Sequence, residues 1–261
     1  MGAPIPRLAQ KLIAMLLIAA SALWTGAIGT FCALLAVTAG AQALQPLAAG
    51  IGDALPAPWR VVGLPGNRVP LAQIDRVELD GHRVLRLRSD KSYGTASHAL
   101  PPNTPATTLQ WKWRVDTAVA QADLRTKRGD DAAVKVCAMF DLPLDKLGFV
   151  DRNLMRLARR TSGEYLPAAT VCYVWDQGLP AGTVLHNAYT GRVRFMVLNS
   201  ADTPLGQWAT HSRDLAADFV RLFGAEAETV PPLLAIVVGA DTDNTHGNSL
   251  AYVDALALVK Q

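Results

Sequence analysis

The stretch that decides the fold is Leu109-Gln110-Trp111-Lys112-Trp113-Arg114-Val115. Apolar and polar side chains alternate through it without a break, which is the two-residue period of a β-strand with one buried face. Trp111 and Trp113 share the apolar side of this strand with Leu109 and Val115. We therefore predict that both indoles pack in a core rather than serve a binding surface.

Short strand-like runs surround this stretch, separated by clusters of Gly, Pro, Asn and Asp. Runs at residues 133–140, 170–175 and 234–238 are apolar on both faces, as in central strands. Residues 151–160 and 214–223 show helical spacing instead. Parallel α/β folds need a helix after nearly every strand, and this pattern has too few. The sequence predicts a mainly β protein, an antiparallel β-sandwich of jelly-roll type with one or two short helices.

Residues 1–43 differ sharply from the rest. Arg7 and Lys11 precede an almost wholly apolar stretch, residues 12–39, and small-residue cleavage sequences end at Ala41 and Ala43. These are the parts of a secretory signal, but the stretch is also long enough for a retained membrane-anchor helix. Either alternative predicts a periplasmic or secreted protein that contacts a membrane only through an uncleaved N-terminus. Residues 44–58 are then a linker or an irregular entry strand, and residues 59–261 a single domain.

The charge balance argues against one class of partner. Arg7 and Lys11 are two of the 25 basic residues, so 23 basic and 22 acidic residues remain after residue 43. A domain that is nearly neutral lacks the positive field expected of a nucleic-acid binder. We therefore expect no nucleic-acid partner.

Two cysteines follow the leader, Cys137 and Cys172, each within a strand-like run. In an oxidising compartment such a pair can form a disulfide, and two buried thiols are the alternative. No histidine is spaced near them as a zinc site would require.

The most suggestive polar segment is Asp241-Thr242-Asp243-Asn244-Thr245-His246-Gly247. Alternating oxygen side chains on a tight loop can coordinate calcium, the one cofactor that we consider, and Asp241, Asp243 and Asp254 are the candidate ligands. His246 and Tyr252 replace the Gly and Glu of an EF-hand loop. A hydrogen-bonded turn is the alternative, because Asp, Asn and Thr side chains often bond backbone groups in loops.

Aromatic side chains that face solvent can stack on sugars, and Trp175 and Tyr189 flank a loop rich in Gly and Pro. We expect this pair to be exposed, and we predict that a ligand contacts Trp175, Tyr189, Asp241, Asp243 and Asn244. No catalytic motif is recognised in the sequence. Paired acids for glycoside hydrolysis would have to come from a set of carboxylates with no further support: Asp130, Asp131, Glu164, Asp176, Asp241 and Asp243.

Several of these segments resemble a bacterial family, domain of unknown function 3047. The matching motifs are the strand at residues 109–115, Lys-Arg-Gly-Asp-Asp-Ala-Ala at 127–133, Cys-Tyr-Val-Trp at 172–175, Trp208, residues 213–219 and residues 241–245. The resemblance implies an exported bacterial protein and no particular chemistry. A weaker likeness, on Ala-Tyr-Val-Asp at residues 251–254, is to galactose-binding-like jelly rolls and carbohydrate-binding modules.

The function predicted from the sequence is noncatalytic binding of a carbohydrate or other polyol in the periplasm or at the cell surface. An enzyme that acts on polysaccharide through paired carboxylates is the first alternative. A structural or protein-interaction module of the cell envelope is the second.

Overall fold

Residues 44–64, 66, 69–162 and 165–259 are described in a computed structural model of the chain. The predicted leader, residues 1–43, and Glu164 lie outside the described residues. The described chain forms two sheets packed face to face, because both sheets contribute side chains to one large apolar cluster. The prediction of a mainly β sandwich is confirmed.

The larger sheet has seven strands in the order β1-β4-β11-β6-β7-β9-β8. Their bounds are β1 Arg60–Val62, β4 Tyr93–Thr104, β6 Ala132–Phe140, β7 Ala169–Trp175, β8 Val184–Asn187, β9 Thr190–Asn199 and β11 Leu233–Asp241. Every residue of β6 and of β7 is buried. The two-faced apolar runs predicted central strands, and both strands lie in the middle of this sheet.

The smaller sheet has five strands in the order β10-β5-β12-β3-β2. Their bounds are β2 Gln73–Leu79, β3 His82–Asp90, β5 Thr108–Thr117, β10 Ala209–Asp214 and β12 Asn248–Val259. In β5 the predicted alternation is confirmed. Trp111 and Trp113 are both 1% exposed and face the other sheet, whereas Gln110 and Lys112 are on the outside.

One pairing departs from the predicted antiparallel arrangement, because β7 and β9 are parallel. After β7 the chain runs through the loop at residues 176–183 and edge strand β8, which is antiparallel to β9. This detour turns the chain twice, so β9 runs in the same direction as β7. The remaining strand pairs in the described sheets are antiparallel.

Both predicted helices are present. Helix α1 is Phe149–Ser162, preceded by a 3-10 turn at Leu144–Lys146, and helix α2 is Leu215–Phe223. The Asp214 carboxylate accepts a hydrogen bond from the backbone N–H of Ala217, which caps the start of α2. Helix α2 ends at Gly224, as the sequence predicts. Of the described helices, neither is long and apolar enough to cross a membrane.

The predicted linker, residues 44–58, packs against the sandwich without regular strands. Leu44 and Leu47 are buried in the main core, at 0% and 4% exposure. The buried Arg76 of β2 donates hydrogen bonds to the carbonyl oxygens of Ile51 and Gly52, at 2.9 and 2.7 Å. The guanidinium therefore holds this segment against the smaller sheet.

Candidate binding site

The outer face of the smaller sheet carries polar side chains in register on three neighbouring strands. Tyr252 of β12 lies between Arg86 of β3 and Arg114 of β5. Strand residues alternate between the two faces, and Ala251 and Val253, on either side of Tyr252, are fully buried in the core. Tyr252 and its two arginine neighbours are therefore on the outer face.

A groove of about 430 Å³ opens at the end of this face. We call it the outer-face groove, and its lining residues are Arg86, Arg88, Ser89, Asp90, Thr117, Asn248, Ser249, Leu250 and Tyr252. Its volume lies within the range of small-ligand sites. The register explains the lining, because Leu250 lies opposite Arg88 on one side and Thr117 on the other.

Two ion pairs fix the guanidinium groups beside Tyr252. Arg86 donates to both oxygens of Asp75, at 2.9 and 2.6 Å. Arg114 donates to both oxygens of Asp116, at 2.6 and 3.2 Å. The two hydrogen bonds to Asp75 hold Arg86 in one orientation, and the hydrogen bonding also raises the pKa of Arg86.

Arg88 and Asp90 differ from these paired groups. Both side chains are exposed in the groove, and Asn248 beside them is exposed as well. Within the described part of the chain, the Arg88 guanidinium forms no ion pair or hydrogen bond. The groove therefore offers a forked donor, a carboxylate acceptor and an amide on adjacent strands of one rigid sheet.

The predicted exposed pair, Trp175 and Tyr189, is not exposed. Trp175 is 5% exposed and belongs to the main core, because the inner face of a central strand carries it. Tyr189 is partly buried, and its hydroxyl lies 3.0 Å from the Lys127 carbonyl oxygen and 3.1 Å from Asn244 Oδ1. This expectation is wrong because sequence proximity to a loop says nothing about which face of the strand a side chain occupies.

The structure does bring acidic side chains together near residues 241–247. Carboxylate oxygens of Asp131, Asp241 and Asp243 lie within 4.8 Å of one another, and we call these three residues the acidic cluster. Asp131 takes the place in this cluster that the sequence suggested for Asp254. Asp254 lies in β12 of the other sheet, opposite Lys112.

The acidic cluster has partners within the fold: Asp131 accepts hydrogen bonds, and Asp241 forms an ion pair. Asp131 Oδ1 accepts from the Asn244 backbone N–H and side-chain amide, at 3.2 and 3.1 Å, and Asp131 Oδ2 accepts from Thr245. The ammonium group of Lys135 lies 3.5 Å from Asp241, and both side chains are buried. Burial raises the pKa of Asp131 and the Asp241 charge adds to the rise, while the hydrogen bonds from the loop oppose it. The cluster holds the loop to the start of β6.

Tyr93 borders the acidic cluster, because Tyr93 in β4 lies directly opposite Asp241 in β11. Burial raises the pKa of its phenol, and the charges of Asp241 and Asp243 raise it further. The hydroxyl therefore stays protonated, and the Lys135 ammonium lies 4.9 Å from the centre of the ring.

Asp130 and Asp176, the other described carboxylates proposed for catalysis, also form hydrogen bonds within the fold. The two oxygens of Asp130 accept from the Asn187 side-chain amide, both at 2.9 Å. Asp176 Oδ1 accepts from the backbone N–H groups of Gly178 and Leu179. These contacts shape loops, and neither residue lines the outer-face groove.

Cys137 and Cys172 form a disulfide. They lie directly opposite each other on β6 and β7, on the side of the larger sheet that faces away from the main core. Of the two alternatives left by the sequence, the bridge is the one that the structure shows.

The groove residues were not singled out from the sequence. The signal that could have found them is the alternation of Leu85 and Leu87 with Arg86 and Arg88, which predicts two arginines on one outer face. Their partners Leu250 and Tyr252 lie more than 150 residues later, and only the pairing of β3 with β12 brings them together.

Fold and site together define a β-sandwich protein with an open polar groove on one sheet face. The sequence profile of the family described as "Protein of unknown function (DUF3047)" matches residues 57–257. The chain belongs to this family, and the resemblance read from its motifs is confirmed. No curated protein matches the chain significantly.

Several solved structures are similar to the chain. The chain is similar to the xyloglucanase domain of NopAA, a type three effector from Sinorhizobium fredii, at 9% identity over 82% of this chain and 99% of that chain, with a TM-score of 0.42. A family 12 xyloglucanase from Bacillus licheniformis matches at 8% identity over 83% and 98%, also with a TM-score of 0.42. The family 11 carbohydrate-binding module of a Clostridium thermocellum cellulase matches at 8% identity over 84% and 95%, with a TM-score of 0.38. At these TM-scores the likeness carries no argument about function.

Proposed function

We propose that the chain is an exported, noncatalytic protein that binds a carbohydrate in the outer-face groove. The observation that carries this proposal is the lining of the groove. Arg88, Asp90 and Asn248 present charged and neutral hydrogen-bonding groups around a volume of about 430 Å³ on a rigid sheet.

A carbohydrate suits this lining because each sugar hydroxyl both donates and accepts hydrogen bonds. Arg88 offers donors only, Asp90 offers acceptors only, and the Asn248 amide offers both. Leu250, half-buried on the floor between them, provides an apolar contact for the carbon-bound hydrogens of a sugar ring.

The groove favours binding over hydrolysis. Glycoside hydrolysis usually needs two carboxyl groups on either side of the scissile bond. Asp90 is the single carboxylate among the lining residues of the groove. Asp75 and Asp116, two acids of the same face, are each engaged by an arginine through two hydrogen bonds, and Asp254 lies opposite Lys112.

Export is supported by the disulfide between Cys137 and Cys172, because disulfides persist mainly in oxidising compartments. The signal-like composition of residues 1–43 supports it as well. The carbohydrate is then a polymer of the cell envelope or of the surroundings.

Native gel electrophoresis of residues 44–261 through lanes cast with different bacterial and plant polysaccharides tests the proposal. We expect selective retardation in at least one lane. A cleared track in a stained lane would instead establish hydrolysis, and unaltered mobility in every lane would leave a protein-interaction module of the envelope as the better account.

A further inference from the structure

Helix α1 carries a patch of exposed apolar side chains. Phe149, Val150, Leu154 and Leu157 are 79%, 68%, 54% and 59% exposed. Eleven large apolar side chains are exposed among the described residues, and four of them lie within the nine positions 149–157. Scattered single residues are normal on a protein surface, whereas a contiguous patch marks an interaction site.

The patch is separate from the face that attaches the helix to the domain. Met155 and Ala158 pack into the main core. Val150, Leu154 and Leu157 follow one another at spacings of four and three residues, so they form a stripe along another side of the helix. The core does not use this stripe.

Two arginines lie together along one side of the stripe. Arg156 and Arg160 are exposed and four residues apart, and within the described chain they form no ion pair or hydrogen bond. Arg152, by contrast, donates to the carbonyl oxygens of Asp145 and Leu147. The acidic side chain of the helix, Asp151, is turned to the domain and pairs with Arg192 at 3.1 Å.

We propose that α1 lies on the surface of a bilayer that contains anionic phospholipids. A helix of this kind inserts its apolar side among the acyl chains and keeps its basic side at the headgroups. The long apolar stems of Arg156 and Arg160 let their charges reach lipid phosphates while the stripe is buried. Charge complementarity is thus what identifies the lipid, because the exposed part of α1 is positive and carries no free acid among its described side chains. The surface is distinct from the outer-face groove.

Hydrogen–deuterium exchange of the full-length chain tests this surface, with vesicles of phosphatidylcholine alone or mixed with phosphatidylglycerol. The readout is deuterium uptake in peptides from α1, which separates this contact from any insertion of residues 1–43. We expect the anionic vesicles to slow uptake in α1 by about twofold or more, since charge adds to apolar burial in membrane binding. Equal uptake with both lipids overturns the proposal.

Two double variants and one control complete the experiment. Leu154→Glu with Leu157→Glu, and Arg156→Glu with Arg160→Glu, should each abolish the lipid-dependent difference. Val220→Glu, at an exposed apolar residue of α2 that is 56% exposed, should retain it. Uptake in peptides from the buried strand β6 checks that every variant is folded. Protection of α1 that survives both double variants contradicts the proposal and indicates contact through other residues.

Discussion

Asp131, at the start of β6, accepts hydrogen bonds from both the backbone N–H and the hydroxyl of Thr245, at 2.7 and 2.6 Å. These bonds connect residues that are 114 positions apart in the chain. They hold the loop between the two sheets at the end of the sandwich where the outer-face groove opens.

Asp131→Asn should therefore destabilise the domain. The amide nitrogen replaces one acceptor oxygen and leaves partly buried loop donors without a partner, which costs about 1–3 kcal/mol. Urea unfolding measures the loss. Asp202→Asn, at an exposed position, is the control and should change the free energy of unfolding by less than about 0.5 kcal/mol. Equal effects of the two variants would show that Asp131 does not anchor the loop.

Calcium should leave the stability of the domain unchanged. The hydrogen bonds to Asp131 and the Lys135 ammonium beside Asp241 already offset part of the negative charge of the acidic cluster without a metal ion. An ion that bound the native state would raise the melting temperature with its concentration. We expect equal melting temperatures in excess calcium and in a chelator, and a higher value in calcium would establish the metal site suggested by the sequence.

The disulfide should stabilise the folded domain mainly by restricting the conformations of the unfolded chain. It closes a loop of 35 residues, for which the chain-entropy account gives about 3–4 kcal/mol. The double variant Cys137→Ala and Cys172→Ala should lose about that much free energy of unfolding. A reductant should lower the stability of the wild type towards that of the variant and leave the variant itself unaffected. A wild type that is insensitive to a reductant after unfolding would argue against the bridge.

The free energy of unfolding should decrease as the pH falls from about 6.5 towards about 4, because the pKa of His211 is lower in the folded than in the unfolded state. Burial lowers the pKa of His211 to about 4, with a smaller contribution from Arg213. Below an ordinary pKa of about 6.5 the unfolded state therefore takes up a proton that the folded state refuses. The ring nitrogen Nε2 lies 2.8 Å from Asn199 Oδ1, an arrangement that suits the neutral ring as donor.

His211→Gln removes this titration and should lose less stability than the wild type between about pH 7 and about pH 5. Urea unfolding of both proteins at the two pH values gives the comparison. Asp131 and Asp176, whose pKa values are raised chiefly by burial, titrate with the opposite sign in both proteins, so the difference isolates His211. Parallel pH profiles would exclude it as the group responsible.

The strands and helices could be predicted because their signals are local. Alternation at residues 109–115 located β5 and its buried tryptophans, and the helical spacing ending at Gly224 located α2. The groove could not be predicted in this way. Arg88 meets Leu250 only through the pairing of β3 with β12, and nothing in either segment specifies that partner.

The misplaced aromatic site has a related cause. Trp175 ends a strand beside a polar loop, which favoured exposure, but the strand is central and its inner face packs against the smaller sheet. The acidic loop ends beside the groove, although its predicted ligand residues do not line it. Asn244 of this loop donates a hydrogen bond to Asp131, and the loop leads directly into Asn248 at the edge of the groove.

Binding by the outer-face groove is tested most directly by comparing variants in the polysaccharide lane that retards the wild type. Arg88→Ala and Asn248→Ala each remove an exposed side chain of the lining, so the fold should be preserved while affinity falls. Loss of a charged hydrogen bond, about 1.5–3 kcal/mol, predicts at least about tenfold weaker binding for Arg88→Ala. Arg128→Ala, at an exposed arginine outside the groove, should migrate like the wild type. Undiminished retardation of both groove variants would contradict the proposed site.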